Sequence, residues 1–90
     1  MNLKDTVEMM TSTDYKERFK AEYYQTKERY ERLKAFNQKI DAARQTDWSK
    51  NPVEMPKHDC PDGLLLEQQH VMGSYLNILE VRAIIEGIEL

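Results

Sequence analysis

Residues 13–45 read TDYKERFKAEYYQTKERYERLKAFNQKIDAARQ, and the reading of this stretch decides the fold. It holds nine Lys/Arg, four of the five tyrosines and both phenylalanines. It contains neither Gly nor Pro, the residues that most disfavour a helix interior. Phe19, Tyr23, Thr26, Tyr30, Leu33, Phe36 or Asn37, and Ile40 fall at spacings of four and three, as on one face of a helix. Tyr15 extends that face upward. The pattern predicts one helix over 13–45, about 45 Å long. Such a helix is costly to leave alone in water, so it must pack an apolar face against another element.

On its N-terminal side, Thr11-Ser12-Thr13-Asp14 interrupts the periodicity with residues that compete for the backbone and favour caps. Both Asp14 with Glu17 and Thr11 with Asp14 have capping-box spacing. Ahead of them, Leu3, Val7 and Met10 place a short amphipathic helix over 2–10, with Asn2 as N-cap. On the C-terminal side, Pro52 and Pro56 impose a loop over 46–60 that carries Trp48, the only tryptophan. Trp48 reads either as an anchor for the loop or as a ring for stacking on a base or a partner.

Pro61 suits the first turn of a last helix over 61–87, with Asp59 or Cys60 as cap and Gly87 as terminator. Its apolar positions, from Leu64 to Ile85, cover much more than the ~100° stripe that one neighbour needs. Exposed patches of that size are unusual in monomers, so the last helix is expected to mediate self-association. Gly73 in mid-helix points to close approach by another helix or to a tolerated imperfection. The expected fold is all-α: one domain, a short N-terminal helix, then a long antiparallel helical hairpin that oligomerises through its C-terminal helix.

Charge is distributed unevenly. Residues 14–44 carry a net +3 and the remainder −6, for a total of −3 over 90 residues. The basic helix either matches the acidic remainder or holds a local anion, whereas overall acidity opposes binding to duplex nucleic acid. A composition of 40% hydrophobic and 32% charged residues fits a folded domain. Three glycines and three prolines are too few for a turn-rich all-β fold. Cys60 is the single cysteine, which fits a reducing cytosol. The N-terminus lacks a signal-peptide core, and the longest aliphatic run is Leu64-Leu65-Leu66. A cytoplasmic protein without membrane contact is expected.

Catalytic chemistry finds no support in the motifs. His58-Asp59-Cys60 lacks zinc-site spacing, no Gly-rich phosphate loop is present, and no cofactor is implied. No enzyme is expected. The stronger constellation is aromatic and basic. Tyr15, Phe19 and Tyr23 share a line flanked by Lys16, Lys20 and Lys27. Aromatic faces stack on bases and ammonium groups hold phosphates, although aromatic residues at this spacing also serve as core. Arg82 lies within the apolar face of the last helix, where it needs a carboxylate partner or, at an interface, a phosphate.

The stretches DYKERFKAEYYQTKERYERLKAF (14–36), CPDGLLLEQQ (60–69) and YLNILEVRAIIEGIEL (75–90) resemble small proteins of tailed phages and prophages of Firmicutes. These are grouped as the crAss-phage-related small-protein family. The resemblance covers most of the chain outside 46–59 and implies phage origin and a helical hairpin, without site residues. At the level of architecture alone, the outline also resembles the phage sponges that counter CBASS and Thoeris defence, which assemble into oligomers and sequester cyclic dinucleotides or ADP-ribose-derived signals. Together these readings lead to an oligomeric anti-defence protein that holds a small anionic nucleotide-like ligand without cleaving it. Its expected ligand contacts are Tyr15, Lys16, Phe19, Lys20, Tyr23, Lys27, Trp48 and Arg82. The alternatives are a module that inhibits a host or defence protein and a virion assembly protein.

Overall fold

Asp14 sets the start of the long helix. Its backbone is extended (φ −80°, ψ 120°), and its side chain accepts a hydrogen bond from the Lys16 amide at 3.0 Å. That bond satisfies one of the amides a helix start leaves free, and α2 then runs Tyr15–Gln45 without interruption. In this computed structural model, which describes residues 3–46 and 53–90, α2 is preceded by a 3-10 turn (Lys4–Thr6) and α1 (Val7–Met10). It is followed by α3 (Asp62–Glu86). The fold is all-α, a long hairpin 56 × 24 × 22 Å in extent. The Asn2 cap and the two readings of Trp48 fall outside the described residues.

The seam of the hairpin follows the aromatic line of α2. Phe19 and Tyr23 are buried with Leu76, Leu79, Ala83 and Ile88, and Tyr24 and Tyr30 pack on the edge of this cluster. The choice between Phe36 and Asn37 falls to Asn37. Its Nδ2 donates to the Leu65 carbonyl at 3.2 Å and to Gln69 Oε1 at 2.8 Å. A buried amide needs such partners, and they exist at only one register of α2 against α3. Phe36 is displaced to the margin, where its ring stands edge-on to His58 at 5.8 Å.

A second face of α2 holds the leading segment. Thr6 is fully buried; its hydroxyl donates to the Leu3 carbonyl and accepts from Gln25 Nε2 at 3.0 Å. Arg18 Nη1 donates to the Ser12 carbonyl at 2.9 Å, tying down the link between α1 and α2. A helix of four residues cannot stand alone, and this docking supplies what its own hydrogen bonds do not.

α3 begins one residue later than its proline suggests. Pro61 itself is the cap (ψ 142°), its carbonyl accepting from the amides of Leu64 and Leu65, in place of Asp59 or Cys60. Asp62, near the positive end of the helix dipole, pairs with Arg44 of α2 and with His58 Nε2. Gly87 ends the helix in the left-handed region (φ 70°), as its lack of a Cβ allows. The Ile88 amide then donates to the Ala83 carbonyl at 2.8 Å, and Ile88 folds back into the core. Among the described residues, no helix is long and apolar enough to cross a membrane.

Candidate functional site

Of the residues singled out for ligand contact, Trp48 lies outside the described residues, Phe19 and Tyr23 belong to the buried seam, and the others divide between the two edges of the hairpin. On one edge Tyr15 and Arg82 meet. Arg82 Nη2 donates to the Tyr15 hydroxyl at 2.6 Å, and Tyr15 in turn donates to Glu86 Oε1 at 2.9 Å. Arg82 Nε also donates to Glu86 Oε2 at 3.0 Å, and its guanidinium lies over the Phe19 ring at 5.1 Å. The carboxylate Arg82 needs is thus supplied four residues away. The Glu86 hydrogen bond raises the Tyr15 pKa and is also the main cause that raises that of Arg82. A parallel pair lies next to it, with the Tyr75 hydroxyl donating to Glu22, a bond that raises the Tyr75 pKa.

Phe19 is 3% exposed and Tyr23 is 7% exposed. The three rings therefore do not form one platform. Tyr15 and Phe19 are tilted at 59° with centroids 6.2 Å apart, and Tyr23 instead meets Tyr24 edge-on at 5.2 Å. The reason is geometric: residues four apart advance 40° around a helix, so the line turns from the Arg82 edge, through the seam, toward the other edge.

That other edge carries a groove. Lys27 Nζ stands 5.8 Å from the centre of the Tyr23 ring. Tyr23, Lys27, Tyr30, Glu31, Gly73 and Glu80 line a cavity of about 240 Å³. Tyr30 and Gly73 are shared with an adjoining cavity of about 650 Å³, whose outer wall includes His70, Asn77 and Ile78. Burial raises the Tyr23 pKa, with a further contribution from Glu80. Lys20 and Lys16, seven and eleven residues before Lys27, recur on the same side of α2, about two and three turns away; Lys20 pairs loosely with Glu17 at 3.6 Å. The groove thus offers ring surface, ammonium groups for a phosphate and carboxylates that accept from hydroxyl or amino groups.

Gly73 faces the Tyr30 ring. A Cβ there would lie 3.4 Å from Tyr30 Cε2 and 3.5 Å from its hydroxyl, in ordinary van der Waals contact. The close approach that the mid-helix glycine implied comes from within the hairpin. Tyr30, Asn77 and His70 line this groove without having been singled out from the sequence; Tyr30 falls on the seam line and reads as core until Gly73 is placed opposite it. Gly73→Ala is expected to raise the unfolding free energy by up to about 1 kcal/mol through helix propensity, since a contact at 3.4 Å is ordinary van der Waals distance. Urea unfolding measures it, and a net loss of stability would show that Tyr30 cannot yield.

A further cavity of about 410 Å³ lies by Asn37, Arg44 and Asp62. Its charged groups are already engaged, Asp62 being paired by Arg44 and His58 and Asp41 accepting from Gln45. The Gly73 groove is therefore the better candidate.

Comparison with curated proteins and with solved structures returns no match. A family model described as Sequestin matches residues 13–85, which span α2, the loop, nearly all of α3 and both edges of the hairpin. The chain belongs to the Sequestin family.

Proposed function

We propose that this protein sequesters a nucleotide-derived signal, a cyclic dinucleotide or an ADP-ribose-type molecule, and holds it intact. The Sequestin name is consistent with sequestration rather than catalysis. The observation that carries the reading is the groove opened at Gly73 between Tyr23, Lys27 and Tyr30 on α2 and Asn77 and Glu80 on α3. Its larger part, about 650 Å³, is of the size of small-molecule sites, about 300–1,000 Å³, and the smaller, about 240 Å³, adjoins it. Tyr30 stacks on a base, Lys27 with Lys20 and Lys16 neutralises phosphate, and Glu80 or Glu31 accepts from ribose hydroxyls. Tyr15, Phe19 and Arg82 form a second, pre-paired cationic edge that a phosphate reaches by displacing Glu86. In this reading the protein acts in the host cytoplasm during phage infection and removes the signal of a defence system by mass action alone.

Isothermal titration of the folded chain against a panel of cyclic dinucleotides, cyclic ADP-ribose isomers and linear ADP-ribose tests this. The expected result is saturable binding of one class, with the ligand recovered unchanged by chromatography. Absence of binding across the panel sinks the proposal. A host protein recovered in stoichiometric amount by such a non-binding chain would favour inhibition of a protein target instead.

A further inference from the structure

The cavity by Asn37 lies on the same side of the hairpin as the Gly73 groove. Asn37, Asp41 and Arg44 on α2 and Asp62, Leu66 and Gln69 on α3 border it, at the alternating four- and three-residue spacing of one helix side. Tyr30 and Gly73 continue those two lines, and Gln69 borders both the Asn37 cavity and the larger part of the groove. With Asp62 paired by Arg44 and His58, and Asp41 accepting from Gln45, the groups this cavity still has to offer are neutral.

Two amides supply them. The Leu65 carbonyl can only accept, so the Asn37 amide must turn Nδ2 toward it, at 3.2 Å. The same Nδ2 donates its other hydrogen to Gln69 at 2.8 Å, which fixes Oε1 as the atom Gln69 presents there. Both N–H groups of Asn37 are thereby used. Among the described residues, Asn37 Oδ1 and Gln69 Nε2 then have no partner of their own. Asn37 is only 6% exposed, and an acceptor on a side chain this buried is costly to leave unbonded. Ile40 and Leu66 supply apolar wall beside the two amides.

We propose that this cavity holds a flat, uncharged nucleobase by its polar edge, one N–H of the base donating to Asn37 Oδ1 and a neighbouring lone pair accepting from Gln69 Nε2. The Watson–Crick edge of a nucleobase carries such a donor beside an acceptor, and proteins read it in this way. A volume of about 410 Å³, apolar wall and a few placed polar groups are the makings of a small-molecule site. Asn37 lies seven positions beyond Tyr30, about 10 Å along α2, so a molecule with two ring systems reaches both, with Gln69 at the join. Naming the ring a nucleobase rests on the sequestration reading above; the neutral cavity and its two free groups do not.

Nucleosides test the cavity apart from the cationic groove, because they carry a base and no phosphate. Adenosine, cytidine, uridine and inosine, the last bearing the N–H and carbonyl of guanine, are titrated to millimolar concentration into the nitrogen-15-labelled full chain. Nuclear magnetic resonance follows the side-chain amide signals of Asn37 and Gln69. A saturable shift of both signals with at least one nucleoside, and none with ribose, is expected. Gln69→Glu keeps an acceptor for Asn37 Nδ2 and removes the free donor; it is expected to weaken that nucleoside roughly 5- to 150-fold, the effect of one unmet hydrogen bond at a buried site. Tyr30→Ala is expected to leave the shift in place, since Tyr30 borders the groove and not this cavity. A nucleoside bound here by a chain that binds nothing in the nucleotide panel supports the cavity and sinks the sequestration reading alone. Absence of a shift at either amide overturns the proposal. So does equal affinity in a folded Gln69→Glu, or loss of the shift in Tyr30→Ala. Should Gln69→Glu unfold, the signals of the wild type and of Tyr30→Ala decide.

Discussion

Leu79→Ala is expected to lower the unfolding free energy by about 2–5 kcal/mol. Leu79 is 0% exposed and sits among Phe19, Tyr23, Leu76, Ala83 and Ile88. Alanine is the better helix former, so the substitution costs nothing in α3 itself. What is lost is the transfer of the side chain out of water and the contacts around the cavity it leaves. Against a total stability of about 5–15 kcal/mol for a small domain, the change is large. Urea unfolding, followed at fixed protein concentration because association alters apparent stability, gives the value. A loss below about 1 kcal/mol, less than any leucine truncation in a packed core, would place the core elsewhere.

Tyr30→Ala is expected to weaken ligand binding by roughly 5- to 150-fold, the equivalent of about 1–3 kcal/mol for one base stacked on an aromatic ring. The ring borders both parts of the groove, so its removal leaves a base without a platform. Tyr30→Phe keeps the ring and is expected to bind within a few-fold of wild type. Titration with the nucleotide class that the panel identifies measures both. Because Tyr30 also packs over Gly73, the melting temperatures are compared first. Equal affinity in Tyr30→Ala would remove the groove from consideration and leave the Tyr15–Arg82 edge as the site.

The fold was largely legible in the sequence because its cues are local. Periodicity and the absence of Gly and Pro mark α2, and its observed limits, Tyr15–Gln45, fall within two residues of 13–45. Gly87 ends α3 as its conformational freedom predicts. The cap at Pro61 was misplaced because capping side chains were counted there, whereas the proline's carbonyl does the work. The site was less legible. Tyr15, Phe19 and Tyr23 share a line in projection, but the burial that separates them depends on how α3 crosses α2. The groove depends on one residue from each helix, Tyr30 and Gly73, 43 positions apart, and no spacing rule joins them. Resemblance pointed to a phage small-protein grouping; the family shown is Sequestin.

Asn37 has a consequence for motion. To slide along α2 by one turn, about 5.4 Å, α3 would have to break two hydrogen bonds to a buried amide and leave it without partners. Such a slip is costly, so the register of α3 on α2 is held at the Asp62 end by this amide, while the Gly87 end is held by the cluster of Phe19, Leu79 and Ile88. The two helices are thus expected to keep one fixed offset along their length. Distance labels on the two helices are expected to read one narrow separation near Asn37 and another near Gly87.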